Sequence, residues 1–190
     1  MGAWPTTIGR FMPLHAQDIN MNSSHIFCLF IASLACATDL NTRRIPNVLT
    51  FGAALMGFLY QFLNGGLDGL GQAALGWLVG ALIFSVPFAL HGLGGGDVKL
   101  LAALGAWLGP ADAVWLALYT AVAGGLMALV VSAIYGYLGT AVQNVYLLLC
   151  HWRVAGIEPV PSITLEHSKG PKLAYAFPIL TGMMATTWLR

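Results

Sequence analysis

The stretch His91 to Gly109, HGLGGGDVKLLAALGAWLG, sets an aspartate and a lysine directly behind three glycines and then runs apolar to its end. Val98 to Leu108 is too short to cross a bilayer with ease, since a spanning helix needs about 20 mostly apolar residues at roughly 1.5 Å of rise each. Whether this stretch counts as a span decides the topology of everything around it.

The surroundings favour counting it. The chain is 58% hydrophobic and 8% charged, with a mean hydropathy of +0.77, which leaves too little polar surface to cover a water-soluble globule. Apolar runs outline six candidate spans: Ser23 to Leu40, Val48 to Leu63, Leu70 to Leu90, Val98 to Leu108, Ala113 to Leu138 with an interfacial extension to Cys150, and Leu173 to Leu189. Pro87 and Pro178 fall inside the third and sixth, where neighbouring helices would have to satisfy the freed backbone groups. The fold class expected is therefore all-α, a polytopic membrane helix bundle of about six transmembrane helices. The 23 glycines suit helices packing through small faces, such as Gly76 with Gly80 and Gly105 with Gly109.

Lysine and arginine mark cytoplasmic loops. Arg43 and Arg44 follow the first segment, Lys99 follows the third, and Arg153, Lys169 and Lys172 lie between the fifth and sixth. Six spans with both termini outside put all of these bases on one side, whereas dropping the short fourth span would scatter them. The chain divides into an N-terminal arm over residues 1–22 and one membrane-embedded domain over residues 23–190. The arm has no signal-peptide h-region, and two readings of it stay open: a start at Met21, or a short flexible arm over residues 1 to 20.

Other function classes find little support. The net charge of +1 says little about partners, and no basic cluster is dense enough to suggest a nucleic-acid partner. Cys28, Cys36 and Cys150 form no CxxC pair and have no zinc-ligand spacing, so no metal or other cofactor is expected and buried thiols are the simplest reading. His91, His151 and His167 share no ligand spacing either; His91 precedes Asp97 by six residues, but an interfacial histidine is more often an anchor or loop residue. The segment from His151 to Lys172, with Pro159 and Pro161, reads as an irregular cytoplasmic loop.

The topology brings Asp39 and Asp97 to the same face. Carboxylates in a membrane helix cost about 2.5 to 3.5 kcal/mol at its centre and call for a functional explanation. Two of them within reach of each other in a partly desolvated pocket would share one proton, leaving a base to activate water and an acid to protonate a leaving group. Each has a simpler reading when taken alone: Asp39 as an i,i+4 partner of Arg43, and Asp97 as the N-cap of a helix starting at Val98. Three glycines exceed what a cap needs. Gly94, Gly95 and Gly96 would let the backbone approach another chain closely or adopt φ > 0.

With both motifs in view, the chain resembles the aspartic prepilin peptidases. Gly94-Gly95-Gly96-Asp97-Val98-Lys99 matches their GxGDxK signature, and Asp39 to Asn47, DLNTRRIPN, is similar to their first-aspartate motif, in which an Asp is followed by a basic residue and Ile-Pro-Asn. Leu173 to Gly182, LAYAFPILTG, resembles the family's last helix, though it departs from the commoner Pro-Tyr-Gly opening. The resemblance covers about residues 23 to 189. It implies a multi-pass protein of the bacterial inner membrane that cuts the basic leader from type IV prepilin-like precursors at the cytoplasmic face, with Asp39 and Asp97 as the catalytic pair, no cofactor, and the precursor and the lipid bilayer as partners.

The residues around the pair have secondary expectations. Gly94 to Gly96 would line an extended substrate segment and offer it backbone hydrogen bonds. Lys99 and Arg43 would either stabilise the ionised aspartate or snorkel to headgroups as anchors, and Arg44 reads as an anchor. Pro46 and Asn47 would turn the chain into the second span and so position Asp39. Larger bifunctional members of the family carry an insertion with paired CxxC motifs and methylate the new N-terminus. Only Leu40 to Asn47 separates Asp39 from the second span here, so the chain resembles the small protease-only type that serves Tad/Flp pilus systems. Two other classes stay open, a small ion- or proton-coupled transporter and a non-catalytic membrane scaffold. Within the proteases, preflagellin and presenilin-like enzymes share the GxGD element, but Ile-Pro-Asn favours the prepilin branch.

Overall fold

A computed structural model describes residues 23–89, 93–155 and 174–190; the expected arm over residues 1–22 and most of the 151–172 loop lie outside them. The described residues form six helices and no strand: α1 (Ser23–Thr42), α2 (Asn47–Ala89), α3 (Gly95–Leu108), α4 (Pro110–Ile134), α5 (Leu138–Ala155) and α6 (Ala176–Leu189). By length and composition α1, α2 and α4 can each cross a membrane. Many large apolar side chains are left exposed on them, as at Val48, Leu67 and Ile134, a surface that belongs in lipid.

The second and third expected spans are the two limbs of α2. They are divided at Gly66, whose φ of 58° and ψ of −137° are not helical and which a side chain would strain. The limbs fold back on each other there so tightly that a Cβ on Gly69 would overlap the Gln61 carbonyl. Both limbs flank α3. On one side Gln61 Nε2 donates to the Trp107 carbonyl at 2.8 Å, and Trp107 Nε1 donates to the Ala53 carbonyl at 2.8 Å. On the other, Gly76 meets the backbone of Gly105 and Gly109, and Gly80 that of Leu101. The expected small-face packing is present, and it joins α2 to α3.

This arrangement explains the short fourth span. Fourteen residues reach only about 21 Å, yet every residue from Leu100 to Trp107 is buried. A helix apolar on all sides is enclosed by protein, so α3 need not match the bilayer thickness. Gly109, at φ 80°, turns the chain directly into α4, which has Pro110 in its first turn.

Three expectations need adjustment. The fifth segment ends at Ile134, and α5 is a separate helix beyond Gly136 at φ 74°. Helix α6 begins only at Ala176, so Pro178 occupies the first turn, where its missing N–H breaks no helical bond. Cys28 and Cys36 are buried, but Cys150 is exposed on α5.

Helix α1 closes with the Arg43 N–H donating to the Asp39 carbonyl at 2.8 Å, and Arg43 itself adopts φ 53°. A left-handed residue other than glycine carries a penalty of about 1–2 kcal/mol. Arg43→Gly is therefore expected to hold or raise the melting temperature in detergent, and Arg43→Val to lower it. A fall with glycine equal to that with valine would mean that the arginine side chain matters more than its backbone.

Candidate active site

Asp39 lies in the last turn of α1 and Asp97 in the first turn of α3, and both are buried, at 9% and 8% exposed. The two helices bring their opposite termini to the same end of the bundle. The side chains are close enough for the charge of Asp39 to act on Asp97. Neither carboxylate has a basic partner within salt-bridge distance among the described residues. The acidic group that does is Asp112 at the far end, 3.1 Å from Arg190 and 4.0 Å from His25.

The simpler readings of each aspartate do not hold here. Asp39 makes no ion pair with Arg43, whose side chain is exposed. Asp97 is not an N-cap: Gly94 takes that position with φ −81° and ψ 146°, and Asp97 is the third helical residue. At a helix N-terminus Asp97 enjoys the favourable end of the dipole. Asp39, at a C-terminus, has the unfavourable one, and the start of another helix faces it: the Ala176 backbone N–H in the first turn of α6 donates to Asp39 Oδ2 at 3.4 Å. Such first-turn N–H groups have no intrahelical acceptor and are available to an anion.

The glycines act through space. None of Gly94, Gly95 and Gly96 has positive φ, so of the two expected uses of bare backbone the left-handed one is not taken; Gly95 and Gly96 are helical and Gly94 is extended. A Cβ on Gly94 would stand 3.1 Å from Asp97 Oδ2, one on Gly96 3.3 Å from Ile45, and one on Gly95 3.4 Å from Phe88. Bare backbone here lets the α1–α2 connection close over the start of α3. The Pro46 carbonyl accepts the N–H groups of Leu49 and Thr50 at 3.1 and 3.3 Å, starting α2. Lys99 Nζ donates to Asn47 Oδ1 at 3.0 Å and lies 5.6 Å from the centre of the Phe51 ring. Lys99 is thus tied to the first turns of α2, and its ammonium forms no ion pair with either aspartate.

Tyr175 and Ala176 were not singled out by the sequence reading. Tyr175 precedes α6 and lies near enough to Asp97 to feel its charge. The signal was available, because both belong to the LAYAFPILTG stretch, but a helix start that reaches a carboxylate 137 residues away leaves no local pattern. His151 is exposed on α5, while His91 and His167 lie outside the described residues. Among the described residues no cluster of His, Cys, Asp and Glu has the makings of a metal site.

A family model, the type IV leader peptidase family, matches residues 26–129, which include both aspartates. The chain belongs to the type IV leader peptidase family. Curated relatives agree with this membership. It is similar to a prepilin leader peptidase/N-methyltransferase of Aeromonas salmonicida (strain A449), 34% identical over 159 residues, covering 79% of this chain and 46% of that one. Proteins of the same name match from Burkholderia pseudomallei (strain K96243), 38% identical over 112 residues, 55% of this chain and 36% of that one, and from Aeromonas hydrophila, 41% identical over 78 residues, 37% and 27%. The chain spans about half the length of the Aeromonas salmonicida relative and less of the others. No solved structure is a significant match.

Proposed function

We propose that this membrane protein is an aspartic endopeptidase that removes the leader from type IV prepilin-like precursors, with Asp39 and Asp97 as its catalytic pair. The observation that carries the reading is the pair itself: two buried carboxylates, one at the end of α1 and one at the start of α3, with no ion-pair partner among the described residues. Membership of the leader peptidase family supports the reaction class.

The chemistry follows from one shared proton. The ionised carboxylate takes a proton from water as the water oxygen bonds to the scissile carbonyl carbon, and the protonated one gives its proton to the carbonyl oxygen. On collapse of the tetrahedral diol the C–N bond breaks, the amine nitrogen takes the proton now held by the first carboxyl, and the other carboxylate takes back the proton of a diol hydroxyl as the carbonyl re-forms, so the pair returns to its one-proton state. No metal or cofactor enters these steps.

Arg43, Arg44 and Lys99 gather at the aspartate end, which favours placing that end at the cytoplasmic face of the bacterial inner membrane. Four residues, 43–46, connect α1 to α2. That leaves no room there for a CxxC-bearing insertion, in keeping with a protease-only enzyme of the Tad/Flp kind. The transporter reading fits less well, since such sites lie near the midplane, whereas the pair lies at helix ends.

The test is incubation of the purified protein in liposomes with a prepilin-class precursor and a radiolabelled methyl donor. Release of the leader without label on the mature N-terminus is the expected result. Labelled product would overturn the protease-only assignment; an intact precursor beside proton flux through the liposomes would overturn the peptidase in favour of a transporter.

A further inference from the structure

The start of α6 is held by an unusual seat. Tyr175 packs its ring edge-on to Phe84 of α2, with centroids 6.3 Å apart and planes at 63°, and pushes its hydroxyl against α4 at Gly124. A Cβ at Gly124 would stand 2.5 Å from the Tyr175 oxygen and 2.8 Å from Cζ, closer than packed atoms can approach. The ring therefore needs a glycine at that position. It also forms part of the wall of a cavity of about 570 Å³ between α2 and α4, together with Phe84, Pro87 and Leu93, so that little else braces it on that side. The next residue in the chain is Ala176, whose N–H donates to Asp39.

We infer that Tyr175 is a positioning residue for the aspartate pair: seated in the Gly124 notch and against Phe84, its ring fixes the first turn of α6 so that the Ala176 N–H stays on Asp39 Oδ2. This rests on the peptidase reading for its consequence in catalysis and on geometry alone for its consequence in structure. The ring, anchored by two other helices, sets where the α6 backbone begins, and that backbone sets the rotamer of Asp39. Without the seat Asp39 loses the Ala176 N–H, and a water attacking between the carboxylates would lose a fixed base. Misplacement of a catalytic group by about 1 Å costs up to roughly 100-fold in rate.

Four variants, Tyr175→Phe, Tyr175→Ala, Gly124→Ala and the Gly124→Ala/Tyr175→Ala double, separate this from a general packing role. Two readouts are used: leader cleavage resolved into kcat and KM, and amide hydrogen exchange of the 174–182 segment in detergent. Tyr175→Phe keeps the ring and should stay within about threefold of wild type in both. Tyr175→Ala and Gly124→Ala should each lower kcat by about tenfold or more at unchanged KM and speed exchange at the α6 first turn. The double variant should be no worse than Tyr175→Ala, because the two residues act as one device. Unchanged exchange in Gly124→Ala, a Phe variant as impaired as the Ala variant, or multiplied losses in the double would each overturn the inference. Should wild type itself fail to cleave, the peptidase reading falls while the exchange pattern still decides whether Tyr175 and Gly124 hold α6 in place.

Discussion

Asp39→Asn and Asp97→Asn should each reduce leader cleavage by roughly 10²- to 10⁴-fold, the range that a positioned acid or base contributes, with little change in KM or in melting temperature. Asparagine keeps the shape and much of the hydrogen bonding of aspartate but neither takes nor gives a proton at neutral pH. Asp39→Asn can still accept the Ala176 N–H through its amide oxygen, so the fold around α6 should persist. Asp97→Asn removes a buried carboxylate with no ion-pair partner among the described residues, and relief of that desolvation offsets part of what is lost at the helix N-terminus. The double variant should be no slower than the worse single one, because the two groups carry one proton cycle between them. The measurement is single-turnover cleavage of a precursor in liposomes at matched protein levels. Full activity in either single variant would remove the aspartic mechanism and bring the transporter or scaffold forward.

The second large effect is structural. Gly76 and Gly105 meet face to face: a Cβ on either would overlap the carbonyl oxygen of the other, and one on Gly76 would also stand 2.8 Å from the Gly109 backbone. Overpacked sites usually lose about 1–3 kcal/mol. Here the obstruction is backbone that no rotamer change can clear, so Gly76→Ala or Gly105→Ala should lose about 3 kcal/mol or more, as α3 is forced away from the second limb of α2. Since α3 carries Asp97, cleavage should fall with it. Gly71→Ala on the same limb is the control. Nothing lies within 4 Å of its would-be Cβ, and alanine there should be neutral or stabilising by up to about 1 kcal/mol. Unfolding of the three variants in mixed detergent micelles decides the matter. Equal stability of all three would mean that the limb and α3 are not in contact as described.

The reach of the sequence can be judged from particular elements. Hydropathy is a local property, and the apolar runs at residues 23–40, 48–63 and 113–138 reappear as α1, the first limb of α2 and α4 within a few residues. The short run at 98–108 was legible as a span only through the placement of bases around it. The reason it is allowed to be short, enclosure by α2 and its other neighbours, is a tertiary fact. Glycine spacing pointed to close helix faces but not to which faces meet: Gly76 and Gly80 pair with Gly105 and Leu101 across helices that lie antiparallel.

The sequence by itself determined that this is a membrane helix bundle with two carboxylates at one face, because span length, charge placement and the two aspartate motifs are each written in contiguous residues. Only the tertiary structure decided which groups attend those carboxylates. Lys99 turns to Asn47, Arg43 serves the end of α1, and the donor on Asp39 is a backbone N–H of α6, seated through Tyr175 on Gly124. A backbone N–H is the same in every residue but proline, so its role is set by where the helix starts in space, and no residue type in the sequence announces it.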